Sequence, residues 1–362
     1  MPKRSLLERL EVLCNVDVDD VDTELIKRLP FQPHNQTSNQ AVITRELLKP
    51  ENKPMLEELV EKHGKEGWEV VYDMAAVSFC ARNVPYLSGC VLVQTSLRHV
   101  NDRSAIIKQC HSYAKGFESA GVPKDRFAIK LPFSGSAASA AVELNTQGIR
   151  TLATTVFSLE QAIAASQSNC LFISPYYNEI AAHLEPTLRP KVEDPALEHP
   201  MSARVIHMLK TFAEAYARTG KAQPVMIIAS HFDSAEIFAM AELGCPHVTI
   251  QAHNLQALME TADTLPPVTR KKPNHPYAEF VIPERLETLA TLDPLSGPEW
   301  SGQLATVQTD FLADGGRKLD SFIEENTLLK KRFGDAVNFF LGAEREAKAA
   351  IEAQMKVKGL YK

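Results

Sequence analysis

A lysine near the carboxyl end of a short apolar segment is the residue best suited to covalent chemistry. In FAIKLP (127–132), three bulky apolar residues alternate with Ala128 and Lys130. Because successive side chains of a strand point to opposite faces, Lys130 would share the less bulky face with Ala128. Burial of that face would disfavour the ammonium form, and a neutral amine can attack a ketone carbonyl. The segment alone is equally consistent with a lysine that reaches solvent from the strand end.

Polar residues near the carboxyl ends of other predicted strands favour the catalytic interpretation. They are Asp17 and Asp19 in segment 10–19, Gln94 in 89–96, Ser174 and Tyr176 in 170–176, and Ser230 in 224–232. In segment 150–156 the alternation leaves two choices, with either Thr154 or its neighbours Thr151 and Thr155 facing inwards. Converging groups of this kind suit proton transfer and hydroxyl recognition better than they suit a filled core.

Strands and amphipathic helices alternate along most of the chain. The predicted strands cover 10–19, 36–39, 89–96, 127–132, 150–156, 170–176, 224–232 and 247–251. The predicted helices between and after them cover 101–119, 136–147, 159–167, 203–218, 234–243 and 253–262. Such alternation predicts a parallel sheet covered by helices, and eight units would close into a barrel of about 250 residues. We therefore predict an α/β fold, a (β/α)8 TIM barrel with additional C-terminal helices.

An open, doubly wound sheet is the alternative architecture. It usually carries a Gly-rich phosphate-binding turn after an early strand, and SGSAAS (134–139) lacks that pattern. We assign the barrel to residues 1–265, a Pro-rich connection to 266–301, and helices that pack on the barrel to 302–362. The last of these helices could instead project as an interaction helix.

Composition and charge argue against several classes of protein. The chain has 362 residues, 44% apolar and 23% charged, and its net charge of −6 argues against nucleic-acid binding. The basic run RKK (270–272) is flanked by prolines, which predicts a solvated loop. We find no secretory signal and no apolar run of roughly 18 residues. We therefore expect a cytoplasmic protein that binds neither membranes nor nucleic acid.

The spacing of cysteine and histidine gives no indication of a metal site. The six cysteines are scattered without a CxxC pair, which is typical of reduced thiols inside a cell. Four histidines could approach one another near the strand ends but lack a compact ligand motif: His34, His231, His247 and His253. We expect neither a metal nor an organic cofactor.

The lysine strand and its surroundings resemble a known family. The run FAIKLPFSGSAASAAVELNTQGIRTLATTVFSLEQAIAA, followed by CLFISPYYNEI, is similar to the core of transaldolases and the related fructose-6-phosphate aldolases. Upstream, QTSNQAVI (36–43) resembles the family's Thr-Thr-Asn-Pro segment, with Gln40 in place of the proline. Downstream, FLADGGRKLDSF (311–322) resembles its late Gly-Ile-Arg-Lys-Phe helix.

The resemblance implies a role for each polar residue. Lys130 would form a Schiff base with a ketose carbonyl, and Asp19 would act as general acid and base, with Asp17 as the alternative residue. Thr154 would hold the catalytic water. Substrate hydroxyls would be bound by Asn39, Ser174 and Ser230. Proton transfers of this kind contribute about 10²–10⁴-fold each to a rate.

Two departures from the family pattern concern the fate of the intermediate. Gln94 stands where transaldolases carry a glutamate, and an amide can orient water but cannot take its proton. Tyr176 replaces a phenylalanine and adds a hydroxyl beside the same water. This pair is similar to the fructose-6-phosphate aldolase branch, which hydrolyses the intermediate and releases the three-carbon unit.

The family's phosphate-binding arginines are also replaced. Their positions hold Glu179 and Phe232 in this chain. A carboxylate about 4 Å from a phosphate charge costs roughly 4 kcal/mol at an effective dielectric constant of about 20, and two forked guanidinium donors are lost. We therefore expect an unphosphorylated or unusually shaped substrate, unless His231 or Arg98 reaches the site.

Three functional hypotheses follow from the resemblance and the departures. The leading one is a class I aldolase that makes or cleaves a C–C bond by transferring or releasing a dihydroxyacetone-type unit, with a ketose or aldehyde as substrate. The second is a transaldolase of the pentose phosphate pathway. The third is a barrel that has lost catalysis and binds a ligand or partner, against which the retained Lys130 argues. The outer helices and the terminal helix offer surfaces for a homodimer.

Overall fold

Eight parallel strands form a closed barrel in the order in which they occur along the chain. The computed structural model describes residues 4–269, 271–297 and 300–360. The strands are β1 (Asn15–Asp19), β2 (Gln36–Thr37), β3 (Val91–Gln94), β4 (Phe127–Pro132), β5 (Thr151–Val156), β6 (Phe172–Pro175), β7 (Val225–Ile228) and β8 (His247–Gln251). Parallel pairing of β1 with β8 closes the barrel. The predicted TIM-barrel fold is confirmed.

Helices cover the outside of the barrel and one of its ends. Within the described residues the α-helices are α1 (Leu6–Leu13), α2 (Thr23–Arg28), α3 (Gln40–Leu47), α4 (Lys53–His63), α5 (Trp68–Ala81), α6 (Arg103–Ser119), α7 (Gly135–Thr146), α8 (Leu159–Gln167), α9 (Ile180–Leu184), α10 (Pro195–Glu198), α11 (Pro200–Thr219), α12 (Ser234–Leu243), α13 (Ala252–Glu260), α14 (Arg317–Glu325) and α15 (Thr327–Val357). The longest of several 3-10 helices is Glu284–Thr291. No helix in the described part of the chain is long and apolar enough to cross a membrane.

Polar side chains mark the points at which the chain leaves a strand and begins a helix. Asn39, Ser134, Ser158 and Asp233 accept hydrogen bonds from backbone N–H groups at the starts of α3, α7, α8 and α12. These caps satisfy donors that have no partner within the helix. Each of these helices therefore begins close to the carboxyl end of the barrel.

The start of the first predicted strand was wrong. Residues 10–13 belong to α1, and the strand begins only at Asn15. The physical reason is a capping box, in which Ser5 and Glu8 bond to each other's backbone N–H groups and begin a helix before the apolar residues. The helices α2 to α5, which fill most of the chain between β1 and β3, were also missing from the prediction.

Side chains alternate across the barrel wall as the sequence predicts for β4. Phe127, Ile129 and Leu131 pack outwards among the helices. Ala128 lies in a separate inner cluster, and this apolar floor of the barrel also contains Cys90, Leu92, Leu152, Phe172 and Ile227. Leu152 in the floor means that Thr154, two residues later, also faces inwards. The two choices left open for this strand are thereby resolved.

The C-terminal helices follow the Pro-rich connection. Within that connection, Arg270 of the basic run lies outside the described residues. The 31-residue helix α15 packs against α3, α4, α5 and α9. Its side chains Phe339 and Phe340 reach the cavity at the carboxyl end of the barrel.

Candidate active site

A cavity of about 540 Å³ opens at the carboxyl end of the barrel, above the apolar floor. Strand ends, the loops that follow them and α15 all contribute to it. The polar residues that line it are Asp19, Asp20, Asp22, Thr37, Asn39, Arg45, Lys49, Lys130, Tyr176, His183, Ser230, Thr249, Gln251 and His253. Its apolar walls come mainly from Val42, Ile180, Phe339 and Phe340. Catalytic groups of TIM barrels lie at this end.

Lys130 lies between the apolar floor and this cavity. Its register neighbours are Gln94 on β3 and Leu152 on β5, and only 4% of its surface is exposed. Burial lowers the pKa of the Lys130 ammonium below its usual value, although the nearby Asp19 carboxylate acts in the opposite direction. A larger fraction of neutral amine is therefore present than on an exposed lysine.

Asp19 ends β1 and faces the cavity beside two threonines. Thr37 Oγ1 donates a hydrogen bond to Asp19 Oδ1 at 2.7 Å. Thr37 also lies 3.0 Å from the hydroxyl of Thr249 on β8. The hydrogen bond from Thr37 uses only Oδ1, and Asp19 Oδ2 has no bond to a described residue. One carboxylate oxygen is therefore free to exchange a proton with a substrate.

Asp17 lies one layer deeper, inside the barrel rather than in the cavity. It is fully buried, and its oxygens accept hydrogen bonds from the backbone N–H and side-chain amide of Asn35 at 2.9 to 3.1 Å. His247 Nδ1 lies 3.2 Å from both oxygens. Both oxygens of Asp17 are thus occupied within the protein, whereas Asp19 lines the cavity.

Asn39 begins α3 and presents one polar group to the cavity. Its Oδ1 accepts a hydrogen bond from the backbone N–H of Val42 at 3.0 Å, as the cap of the helix. The side-chain NH2 group makes no hydrogen bond with the described residues. It is therefore available to donate to a substrate hydroxyl.

A strand irregularity positions Thr154 below Tyr176. The register of β5 and β6 shifts between Thr154 and Val156, and Thr155 takes a left-handed backbone with φ 55°. Bulges of this kind redirect side chains next to active sites. Thr154 Oγ1 lies 3.3 Å from the hydroxyl of Tyr176, and burial raises the Tyr176 pKa, so the phenol keeps its proton. The neighbouring Ser174 hydroxyl is buried and has no protein partner among the described residues.

Gln40 fixes the orientation of the Gln94 side chain. Gln40 Nε2 donates to the carbonyl oxygens of Gln94 and Thr95 at 3.2 and 2.9 Å, so Gln40 Oε1 must be an acceptor. The Gln94 amide donates to that oxygen at 2.5 Å. Gln94 Oε1 is left buried and without a partner in the described part of the chain. Gln94 thus presents an unpartnered acceptor oxygen, while Gln40 holds one N–H of its amide.

Ser230 is held in a strained conformation at the far wall of the cavity. Its backbone is left-handed, with φ 73°. Its hydroxyl donates to the carbonyl oxygen of Asn178 at 2.7 Å and lies 2.8 Å from His183 Nε2. Burial, assisted by Arg189 and His253, lowers the His183 pKa to about 4, so the imidazole is neutral at pH 7.

The positions of the two missing arginines are occupied by residues with other partners. Glu179 lies 3.7 Å from Lys331 and 3.9 Å from Arg332, both on α15. The Phe232 ring contacts the His183 ring and the Arg189 guanidinium. Arg98 pairs with Glu69 and Glu344 instead of reaching the cavity. His231 is buried beside Tyr177 and does not line the cavity either.

The structure brings most of the predicted site residues to one place. Five of the nine line the cavity: Lys130, Asp19, Asn39, Tyr176 and Ser230. Thr154 bonds to Tyr176, whereas Gln94, Ser174 and Asp17 are buried and do not line the cavity.

The polar residues at this site that sequence reasoning did not predict include Thr37, Gln40, His183 and Thr249. The alternation of HVTIQ would have placed Thr249 on the same face as Gln251, which also lines the cavity. No comparable signal exists for His183, because α9 has only five residues.

The comparison with known families agrees with the fold. A family model described as Transaldolase/Fructose-6-phosphate aldolase matches residues 16–293. The match covers well over half of the chain, from β1 to beyond β8. The helices α14 and α15 lie outside it.

Proposed function

The chain belongs to the transaldolase/fructose-6-phosphate aldolase family, and we propose on that basis that it is a class I aldolase whose Lys130 forms a Schiff base with a ketose. The observation that carries the proposal is the position of Lys130. It is buried, faces inwards at the carboxyl end of β4 and shares a cavity with Asp19. A class I aldolase requires this combination of a desolvated amine and a nearby carboxylate.

The proposed cleavage begins at the amine. Neutral Lys130 Nζ adds to the ketose carbonyl, and loss of water gives a protonated imine. Asp19 then takes the proton of the hydroxyl on the far carbon of the bond to be broken, the C–C bond breaks, and that carbon leaves as an aldehyde. The bonding electrons remain on the three-carbon unit as an enamine attached to Lys130. Asn39 would hold the hydroxyls of that unit through its free amide donor.

The residues around Thr154 favour release of the three-carbon unit. The Asp19 carboxyl returns the proton that it took from the hydroxyl to the enamine carbon and so regenerates the imine. Water then adds to the imine carbon and gives a proton to the Asp19 carboxylate, and breakage of the C–N bond frees dihydroxyacetone and the lysine. Thr154, the Tyr176 phenol and the Gln94 amide oxygen would hold and orient this water. None of the three is a carboxylate that could take a proton from it. An acceptor aldehyde could instead trap the enamine, which is the transaldolase reaction.

The charge of the cavity supports a substrate without phosphate. The ionisable acids that line it are Asp19, Asp20 and Asp22, and the lysines and arginines are Arg45, Lys49 and Lys130. Arg45 pairs with Asp20 at 2.6 Å and Lys49 with Glu46 at 2.8 Å. The described lining therefore offers no excess positive charge to a phosphate dianion, which needs such compensation when it is desolvated.

Borohydride trapping with intact-mass spectrometry tests the Schiff base. Wild-type protein is expected to gain the mass of reduced dihydroxyacetone, and peptide mapping is expected to place it on Lys130 and not on Lys49, the other lysine in the cavity lining. Lys130→Met should abolish the adduct. Lys115→Met, which removes an exposed lysine on α6, is the matched control. Absence of an adduct, or its persistence in Lys130→Met, would contradict the proposal and favour a barrel that only binds ligands.

A second assay separates release from transfer. Wild-type protein is incubated with an unphosphorylated ketose, with and without an acceptor aldehyde. Free dihydroxyacetone that accumulates irrespective of acceptor supports the aldolase. A new ketose formed only in the presence of erythrose 4-phosphate would favour the transaldolase.

A further inference from the structure

One wall of the cavity is formed by the segments that follow β6 and β7. It contains a histidine whose tautomer is fixed by its neighbours. The Ser230 hydroxyl has one proton, and its 2.7 Å contact with the Asn178 carbonyl oxygen uses it. Ser230 can then only accept at its 2.8 Å contact with His183, so Nε2 of His183 carries the ring proton. Nδ1 is left as a hydrogen-bond acceptor. Within the part of the chain that the structure describes, Nδ1 has no hydrogen-bond partner.

Hydrogen bonds of Asn178 hold Ser230 in this arrangement. Asn178 binds the Ser230 carbonyl oxygen through its backbone N–H at 3.1 Å and through its side-chain amide at 3.0 Å. The same amide donates to Glu236 at 2.7 Å, and His199 contacts Asn178 Oδ1 at 3.1 Å. A serine with positive φ costs free energy, and such conformations persist where surrounding contacts impose them, often at binding sites. The wall is thus formed before a ligand arrives.

The same wall has apolar surface, and no lysine or arginine among the described residues contributes to it. Ile180 lies three residues before His183 on α9, so both side chains point to one face of the helix, and both line the cavity. Phe340 of α15 and Ala229 add carbon surface. The Arg189 guanidinium, behind Phe232, stacks on that ring at 4.2 Å and donates to the Ala182 carbonyl oxygen.

A phosphate fits this wall poorly. All the exposed oxygens of a phosphate dianion are acceptors, and the available ring nitrogen of His183 is an acceptor as well. A hydroxyl group can donate to that nitrogen, and the carbon that bears the hydroxyl can contact Ile180. Because His183 Nδ1 can only accept, it can bind a substrate that ends in a hydroxyl group but not one that ends in a phosphate dianion.

We propose that Ile180, His183 and Ser230 form a subsite for the uncharged, hydroxyl-bearing end of an unphosphorylated ketose, with His183 Nδ1 as the acceptor. The proposal rests on the proposed Schiff-base function, since Lys130 must hold the other end of the same ketose. It adds to that function the class of substrate and the residues that select it.

The test compares ketoses that do and do not reach the subsite. Borohydride trapping is measured against concentration for dihydroxyacetone, fructose and fructose 6-phosphate. Wild-type protein is expected to reach half-maximal trapping at a concentration of fructose at least tenfold lower than that of fructose 6-phosphate. His183→Gln keeps an N–H donor for Ser230 and removes the Nδ1 acceptor. It is expected to raise the half-saturating fructose concentration about tenfold relative to that of dihydroxyacetone, the effect of losing one hydrogen bond.

Controls make each outcome decisive. His111→Gln replaces an exposed histidine on α6 and should match wild type for all three ketoses. Ser230→Ala removes the group that fixes the tautomer, and it provides a second test if His183→Gln fails to fold. Equal or better trapping of fructose 6-phosphate by wild type would overturn the subsite, as would equal losses for dihydroxyacetone and fructose in both variants. Failure of wild type to trap dihydroxyacetone would instead remove the Schiff-base proposal on which the subsite rests.

Discussion

The reactivity of Lys130 depends on two opposing influences on one amine. Burial lowers its pKa, and the Asp19 carboxylate partly restores it by favouring the ammonium form. Since only the neutral amine is a nucleophile, trapping of dihydroxyacetone should accelerate as pH rises and reach half of its maximum rate below the usual lysine pKa of about 10.4. Asp19→Asn removes the charge that favours the ammonium, so its midpoint should lie at lower pH than that of wild type.

Initial rates of cyanoborohydride trapping across a pH series measure this shift. Asp125→Asn, which removes an exposed carboxylate just before β4, is the matched control and should leave the midpoint unchanged. A midpoint that moves to higher pH in Asp19→Asn would show that Asp19 does not act on Lys130 through its charge.

Residue-level prediction succeeded where one strand determines the direction of a side chain. The inward position of Lys130 and the cavity position of Asp19 both follow from alternation with apolar neighbours. The orientation of Gln94 could not be predicted, because it depends on Gln40, which lies 54 positions earlier in the chain. The tautomer of His183 likewise depends on Ser230 and Asn178, which come from two different strand-to-helix connections.

At the scale of elements, two glycines let the C-terminal helices approach the barrel. Gly135 begins α7 and lies against Gly316, which precedes α14 and has φ 94°. A Cβ atom on Gly135 would lie 2.0 Å from the Gly316 carbonyl oxygen. The Gly135 N–H also donates to Asp320 on α14 at 2.6 Å. The segments SGSAAS and ADGGRK are thus two halves of one helix-to-helix contact.

Gly135→Ala should separate these halves. The clash involves backbone on both sides and cannot be relieved by a side-chain movement, so the free energy of unfolding should fall by about 3 kcal/mol. Gly334→Ala is the matched control, because it adds the same methyl group on α15 with no atom within 4 Å. In a helix interior that change should stabilise the protein by up to about 1 kcal/mol. Urea denaturation measures both, and equal stability of the two variants would contradict the contact.

Element boundaries could be predicted where local sequence alone determines them. β4 and β8 match the prediction residue for residue, because in each strand bulky apolar side chains alternate with the residues of the opposite face. β2 is a strand of only two residues whose place is fixed by neighbours on both sides, so its sequence carries little signal. The helices α2 to α5 lie where the prediction had only connections between strands.

At the scale of the whole molecule, α15 joins distant parts of the barrel. It contacts α3, α4, α5 and α9, and its buried face includes Ala347, Ile351 and Met355. Glu344 on the same helix accepts hydrogen bonds from Ser96 and Arg98, in the connection that follows β3. Sequence periodicity predicted the helix but left open whether it packs or projects, because an amphipathic pattern does not identify its partner.

We expect α15 and the barrel to unfold as one cooperative unit. Ile351 is fully buried, so Ile351→Ala should lower the free energy of unfolding by about 3 kcal/mol through lost contacts and a residual cavity. The effect should appear as an earlier midpoint of a single transition in circular dichroism. It should also bring earlier loss of dihydroxyacetone trapping at Lys130, because an opened α15 removes Phe339 and Phe340 from the cavity wall.

Val357→Ala, on the exposed last turn of the same helix, should change stability by less than about 0.5 kcal/mol. If Ile351→Ala instead produced a separate early transition, with trapping at Lys130 unchanged, α15 would be an independent appendage and its packing would contribute nothing to the site.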